Sequence, residues 1–570
     1  MPGEPELIDT RFWAVISFER RATPSARLGI HCTELIPFQE LAERKTMRLQ
    51  GRLTTSPATP VHQVFESHAE ARPERPALVC GEVSYTYGEL NERANRLAHF
   101  LLARGVGPGS VVGLCLDRSA ELVLTLLAAL KVGAGYAPLD PSYPAERLRL
   151  MTEQLAHADL IAVSPATTSL VEHCADKRVD IAALDLDGFP ATAPEVDVDV
   201  DAVCYVVFTS GSTGAPKATA VRHRGWYNLL EWLTGEFGLD ADSSNLMISS
   251  FGFDISQRSL MAPLFSGATL HLLPSRSFDV LMASRIIREQ KIRTLHCAPS
   301  ALYLLLQRDE ESGGKILDPL QHAFVGGEPF TVSRMENWAK NYSSSGKIVN
   351  VYGVAECTDV SSFHVLTDYP DYAVRGVPIG RPVNNTDLYI LDEELRSVAT
   401  GETGEICIAG AGIGAGYLNA PALNAERFIT ARLGDGRDVA LYRTGDMGYV
   451  RDDGELMCVG RVDAQVKIRG MRIDLGEVEN AVRSCRGVQD AVALVAGGEP
   501  GGEEAHLVAF VLPEPGAGGR PAELDSRALR SELLAAHPRH LVPKAFVAVP
   551  AFPLSPNGKV DRRALARRAG

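Results

Sequence analysis

What the chain does not contain narrows it first. Its ten cysteines, at 32, 80, 115, 174, 204, 297, 357, 407, 458 and 485, form no C-x-x-C pair and have no histidine companion at metal-ligand spacing. That argues against a zinc site or a disulfide scaffold and fits a reducing cytoplasm. No apolar run approaches the roughly 18 residues a membrane span requires; the longest, 122–130, stops at Lys131. An excess of positive charge is missing too. The formal net charge is -14, so a nucleic-acid surface has no electrostatic support. The N-terminus opens on Glu4, Glu6 and Asp9, and its one apolar run, 12–18, is bracketed by Arg11 and Glu19, unlike a signal peptide.

What is present is a soluble, globular composition, 45% hydrophobic and 22% charged over 570 residues. At about 150 residues per domain that length predicts three or four lobes. The chain is organised around 203–217, VCYVVFTSGSTGAPK. An apolar strand over 203–208 runs into a loop whose Gly211 and Gly214 allow a tight turn, with backbone N–H groups open to an anion. Thr209, Ser210, Ser212 and Thr213 add hydroxyl donors, and Lys217 adds a positive charge. We read this as a phosphate grip; a solvated Gly/Ser connection is the bland alternative. A Walker loop places its lysine directly after glycine and before Ser or Thr, whereas here Gly214-Ala215-Pro216-Lys217 leads into Ala218. A kinase or GTPase is therefore disfavoured.

Residues 1–58 show no strand-helix rhythm and end in a Thr/Ser/Pro-rich junction, which reads either as an extension or as a sequence preceding a true start at Met47. From 61 onward the pattern is α/β. Helical spacing over 61–71, 85–102 and 120–130 alternates with strands at 77–80, 110–116 and 134–139, and Thr86 is a candidate helix cap. Such alternation predicts βαβ units with parallel pairing, and ligands bind beyond the carboxyl ends of such strands. Further compact stretches follow. Asp254 sits in SFGFDIS and, taken alone, reads as a helix N-cap before a ligand group, GGEP follows the strand 323–325, and the strand 348–352 ends in YGVAE. LYRTGD at 441–446 places Asp446 beyond a tight Thr-Gly turn; GRVDAQVKIRGMRIDLGEVE and LSPNGKVDRRAL lie towards the C-terminus.

In their order these segments resemble the adenylate-forming superfamily, and within it the amino-acid-activating adenylation domains of nonribosomal peptide synthetases. The resemblance spans about residues 61–566 and rests on TYGEL at 86–90, LKVGAGYAPLDP at 130–141, the grip, FDIS, VYGVAE, GEICIAGAGIGAGY at 404–417, YRTGD, the GRVDAQVKIRG run and SPNGK. It implies an α/β fold: a large N-terminal portion of several subdomains with mixed and parallel sheets over 59–462, and a small α+β lid over 463–570 hinged at Asp463. It also implies ATP and Mg2+ as cofactors and two half-reactions, aminoacyl-AMP formation and then transfer to a pantetheine thiol.

The residue roles implied are as follows. Thr209 to Lys217 cradle phosphates, Glu356 holds Mg2+, Tyr352 stacks on adenine, Asp446 binds the ribose hydroxyls and Arg461 supports the nucleotide. Gly327, Glu328, Asn350 and Gly353 also belong to the ATP site. Lys559 bridges the substrate carboxylate and the α-phosphate, and lid rotation withdraws it while 465–472, with Lys467, moves towards the thiol tunnel. Asp254 anchors the substrate ammonium. Ile255, Arg258, His296, Phe324, Gly326, Val351, Asp359 and Val360 line the side-chain pocket. Because Arg258, His296 and Asp359 are costly to bury beside an apolar side chain, a polar amino acid is expected, serine-like or a diamino acid such as 2,3-diaminopropionate. Arg258 either pairs with Asp359 or meets an acidic substrate. Two positions depart from the commoner family pattern: Cys458 stands where an aromatic is usual and Val354-Ala355 replaces Pro-Thr. The sequence ends at Gly570 directly after the expected lid, so either a separate carrier protein is the expected partner, with or without a small accessory activating protein, or the chain is an excised domain. The rival expectations are an acyl- or aryl-CoA ligase, which Asp254 opposes, and a non-catalytic nucleotide-binding protein.

Overall fold

The computed structural model describes residues 48–55, 58–155, 158–210, 216–328, 330, 332–341, 346–434, 436–461, 465–497, 504–514, 524–553 and 562–567. Local signals fix many elements. Thr86 caps the helix Tyr87–Ala103 through a full capping box with Glu89, satisfying two of the N–H groups a helix start leaves open. Ser119 caps Ala120–Lys131, whose nearly all-round apolar surface is buried.

Among the described residues two mixed sheets dominate. The nine-stranded sheet runs in the order Arg381–Pro382, Ser362–Val365, Lys347–Tyr352, His322–Gly326, Thr294–Cys297, Asn245–Met247, Leu270–Leu272, Pro76–Cys80 and Val83–Thr86. Its centre is parallel and its two ends antiparallel. The seven-stranded sheet carries the grip strand Val203–Thr209 between Gly135–Pro138, parallel, and Lys217–Arg222, antiparallel. One apolar core of helices and strand faces, including Phe65, Leu97, Leu126, Tyr136, Tyr205, Trp226 and Phe324, joins the two sheets. A third, antiparallel sheet is built on Thr386–Leu391, Gly404–Gly410 and the long strand Asp438–Val450.

Two local expectations change. LYRTGD does not end in a turn: Asp438–Val450 runs straight through it, and Gly445, at φ 74°, only kinks the strand while its N–H is held by Glu405. Cross-strand pairing with Gly404–Gly410 and Leu456–Arg461 overrides the local Thr-Gly turn preference. Arg48–Gln50, upstream of the rhythmic region, pairs as an edge strand with Thr386–Leu391 and ties Arg48 to Asp387.

The C-terminal portion has a hairpin, Gln465–Ile468 with Met471–Asp474, and a three-stranded sheet, Val488–Ala496, His506–Pro513 and Ala545–Ala548, packed with the helices Leu475–Arg483 and Ser526–Ala536. Among the described residues no helix is long and apolar enough to cross a membrane.

Candidate nucleotide and substrate site

The site forms where strand ends from the two large sheets meet the C-terminal hairpin. On one side, three adjacent parallel strands set His296 beside Phe324 and Gly326 beside Val351 in register. Their carboxyl ends are where open α/β sheets leave room for ligands. On the other side, Val203–Thr209 delivers Thr209, whose buried Oγ1 has no hydrogen-bond partner among the described residues. Such an orphaned hydroxyl suits a ligand acceptor. Gly211, Ser212, Thr213 and Gly214 lie outside the described residues, as do Asp463 and Lys559.

Glu356 is fully buried. Tyr417 Oη donates to its Oε1 at 2.7 Å, and Arg472 Nη1 lies 3.2 and 3.1 Å from its two oxygens. Burial alone would raise its pKa, but the Arg472 charge, the Tyr417 hydroxyl and Lys217 outweigh that and hold the carboxyl below its ordinary value. Lys217 is lowered, first by burial and then by the neighbouring Arg472.

The residues expected at the adenosine are equally connected. Tyr352 Oη donates to Asp446 Oδ2 at 2.8 Å, while Arg461, directly across the strand pair, donates to Asp446 Oδ1 at 2.5 Å. Lys467 Nζ stands 5.8 Å from the Tyr352 ring centre. Gly353 has no room for a side chain, because a Cβ there would run into the Asp359 carbonyl. Three further residues expected at the nucleotide make contacts within the protein. Asn350 donates to the Pro378 carbonyl at 2.7 Å, Glu328 accepts from Ser300 N and Oγ at the start of the helix Pro299–Glu311, and Gly327, at φ 89°, faces Gly470.

Asp254 is not an N-cap. It is the first residue of the helix Asp254–Ser266, the cap position belongs to Phe253, and its Oδ1 accepts from the Ile255 N–H. Its carboxyl is pushed up, first by burial and then by the charge of Asp359, with Arg258 opposing and Glu356 adding to the rise. Asp359 follows Thr358, both at positive φ (65° and 61°), an uncommon backbone for such residues that aims the loop into the pocket. Arg258 Nε donates to Asp359 Oδ2 at 2.6 Å and Arg258 Nη1 to His296 Nδ1 at 3.0 Å. His296 stacks on Phe324 at 4.8 Å, and Val351 and Val360 are buried beside them. Ile255 is half-buried.

Tyr417 and Arg472 are the side chains at Glu356 that motif reading passed over, although Tyr417 closes the 404–417 motif and Arg472 lies within the GRVDAQVKIRG-MRID run. Neither motif shows that one of its residues meets a glutamate 61 or 116 positions away.

Residues 65–418 match the family described as AMP-binding enzyme. The chain belongs to this adenylate-forming family. It is 39% identical over 511 residues to a linear gramicidin synthase of Brevibacillus parabrevis, covering 89% of this chain and 6% of that protein. To phosphinothricin tripeptide synthetase PhsC of Streptomyces viridochromogenes it is 38% identical over 518 residues, covering 89% of this chain and 45% of the relative. The chain thus spans well under two thirds of these relatives. Among solved structures, holo-PA1221, an NRPS protein containing adenylation and PCP domains bound to a vinylsulfonamide inhibitor, superposes with a TM-score of 0.77 at 28% identity over 90% of this chain and 84% of that one. The adenylate-forming enzyme described here is accordingly of the ligase type found among nonribosomal peptide synthetases.

Proposed function

We propose that this enzyme activates a small polar amino acid with ATP and passes it to the phosphopantetheine thiol of a carrier protein. The observation that carries the reading is Asp254, the first residue of the helix Asp254–Ser266, one turn before Arg258, which is bonded to Asp359 and His296. A substrate ammonium beside Asp254 would restore its charge, and the substrate carboxylate would then face the phosphate end. In the first step a carboxylate oxygen attacks the α-phosphorus and pyrophosphate leaves. In the second the thiolate sulfur attacks the acyl carbon and AMP leaves. Both steps bring anions or developing charge together, so positioning and fixed cations supply the catalysis.

Lys217 and the hydroxyls of Thr209 and Ser210, with the loop 211–214, are assigned to the phosphates, Tyr352 to adenine, and Asp446 with Arg461 to the ribose. Lys559 is assigned to the carboxylate and α-phosphate, and Lys467 to the lid's part in transfer. Glu356 fits Mg2+, a hard cation that prefers oxygen ligands and takes several of them from substrate phosphates and water; bound there, it would neutralise phosphate charge. An acyl-CoA ligase is disfavoured because an apolar acid would leave Asp254 buried without a partner.

For the side chain, the Arg258–Asp359 pairing supports the serine-like member of the expected set. Asp359 already holds a cation and Arg258 an anion, so neither is free for a diamino or acidic substrate. The proposal extends to a lid that begins at 463 and a cytoplasmic location.

The test is amino-acid-dependent ATP–pyrophosphate exchange with serine, 2,3-diaminopropionate, aspartate and an apolar panel, with Lys559→Ala as control. Exchange with serine that disappears in the control supports the reading. A flat panel from folded, ATP-binding protein would favour a non-catalytic binding protein.

A further inference from the structure

Two consecutive residues at the pocket, Thr358 and Asp359, hold a left-handed backbone, at φ 61° and 65°. Aspartate tolerates that region, but a β-branched threonine is a genuine outlier there, and its surroundings must supply the free energy that keeps it so. What surrounds it is an interlock of three segments. Thr358 is buried, and its Oγ1 donates to the Gly412 carbonyl at 2.6 Å. Gly225, near the start of the helix His223–Phe237, closes over the same hydroxyl: a Cβ there would stand 2.6 Å from Thr358 Oγ1 and 3.1 Å from the Ala411 carbonyl. Gly412 is as tightly placed, since a Cβ on it would lie 2.9 Å from the Cys357 carbonyl. Ala411 is in turn pinned, its N–H donating to the Asn385 carbonyl at 2.9 Å.

At its exit the turn is fixed by the backbone. Val360 N–H donates to the Thr358 carbonyl and Ser361 N–H to the Tyr352 carbonyl, both at 2.8 Å. At its entry the Thr358 N–H makes a longer bond, 3.2 Å to the Ala355 carbonyl, so the hydroxyl is the short tie there. From Asp359 a chain of side chains continues: Oδ2 accepts from Arg258 Nε, and Arg258 Nη1 donates to His296 Nδ1. His296 Nε2 is buried and has no hydrogen-bond partner among the described residues.

We propose that Thr358 is a positioning residue for substrate selection: its hydroxyl, held by the Gly412 carbonyl and enclosed by Gly225, keeps closed the turn that carries Asp359, so that Asp359 orients Arg258 and Arg258 fixes His296 with Nε2 as its protonated nitrogen. The inference rests on the assignment of this pocket to the substrate side chain in the proposed function. Glu356 is attached to the same 410–417 loop by other bonds, Gly414 N–H to its carbonyl at 2.9 Å and Tyr417 Oη to its carboxylate. The phosphate end therefore does not depend on the Thr358 hydroxyl.

Thr358→Val keeps the β-branch and removes the hydroxyl; Thr358→Ser keeps the hydroxyl. In ATP–pyrophosphate exchange, Thr358→Val should raise the KM for the amino acid by about tenfold, the worth of one hydrogen bond, and leave the KM for ATP within about twofold. Thr358→Ser should restore the wild-type KM. Histidine labelled with 15N gives a second readout that needs no activity, with His296→Gln assigning the signal. In the wild type at neutral pH one nitrogen of His296, Nε2, should be protonated; in Thr358→Val both nitrogens should move towards the average of the two tautomers. Should Thr358→Val fail to fold, Gly225→Ala carries the same test, because alanine suits a helix interior and its Cβ must displace the Thr358 hydroxyl.

An unchanged His296 signal in folded Thr358→Val or Gly225→Ala would overturn the proposal, as would a KM for ATP that rises in step with that for the amino acid. A wild type that exchanges with no amino acid would defeat the proposed function alone, since the histidine signal would still decide the positioning.

Discussion

Arg258 and Asp359, 101 residues apart, form a buried ion pair through Nε and Oδ2 at 2.6 Å. Because Arg258 Nη1 also donates to His296 Nδ1, that nitrogen must be the acceptor, and the proton of the neutral ring sits on Nε2. Burial and then the Arg258 charge hold His296 well below its ordinary pKa, so the ring stays neutral. The pocket is thus a charge-compensated wall.

Removing one member of that wall should be costly. Asp359→Ala leaves a guanidinium buried at 1% exposure without its partner, and a loss of about 3–5 kcal/mol is expected. Replacing both, Arg258→Leu with Asp359→Val, should recover most of the stability yet abolish exchange with the wild-type amino acid. Thermal melts and the exchange panel check both parts; equal melting temperatures for the single and double variants would contradict the pairing argument.

Asp254→Asn should separate amino-acid binding from nucleotide binding. An amide keeps the shape but not the charge, and loss of a buried charge pair costs about 2–5 kcal/mol. The KM for the amino acid should therefore rise by about 30-fold or more while the KM for ATP barely moves. Steady-state exchange kinetics at varied concentrations of each substrate decide it, and a matched rise in both would count against the ammonium anchor.

Acid should destabilise the fold through its buried histidines. His62 and His223 pack with ring centres 6.0 Å apart, near Lys131, and His223 is pushed down to about 4 by burial. Its unfolded value is about 6.5. Between those values the unfolded chain binds the extra proton, so unfolding becomes easier as pH falls, and the contribution is fully present only above about 6.5. One such group is worth about 3 kcal/mol across that window. The melting temperature should drop from pH 7 to pH 5, and His223→Gln should flatten the slope; a parallel curve for the variant would show that other groups dominate.

The C-terminal portion should also be sensitive at Glu477, which pairs with Arg147 at 2.7 Å with both side chains buried. Glu477→Ala removes an anchor of the observed posture, so transfer to a carrier should slow by about tenfold or more while ATP–pyrophosphate exchange changes little. Single-turnover thioester formation set against exchange separates the two, and an equal loss in both would point to general misfolding.

The sequence by itself determined the local elements and the ordered motifs. Helix period and the Thr86 capping box act over a few residues, so Val61–Ala71 and Tyr87–Ala103 were legible to within two residues. So was the phosphate-grip strand Val203–Thr209, bounded by its Gly-rich loop. The motif order likewise marked Asp254, Glu356 and Asp446 through the family resemblance. What only the tertiary structure decided was which charges meet. It held YRTGD inside one strand by pairing it on both sides, bonded Asn350 to Pro378 and Glu328 to Ser300, joined Arg258 to Asp359, and set Arg472 and Tyr417 on Glu356. These contacts span tens to hundreds of residues, and no local propensity encodes them; they follow from sheet register and lid docking, which bring distant side chains within hydrogen-bond reach in a buried site where an unpaired charge is too costly to leave.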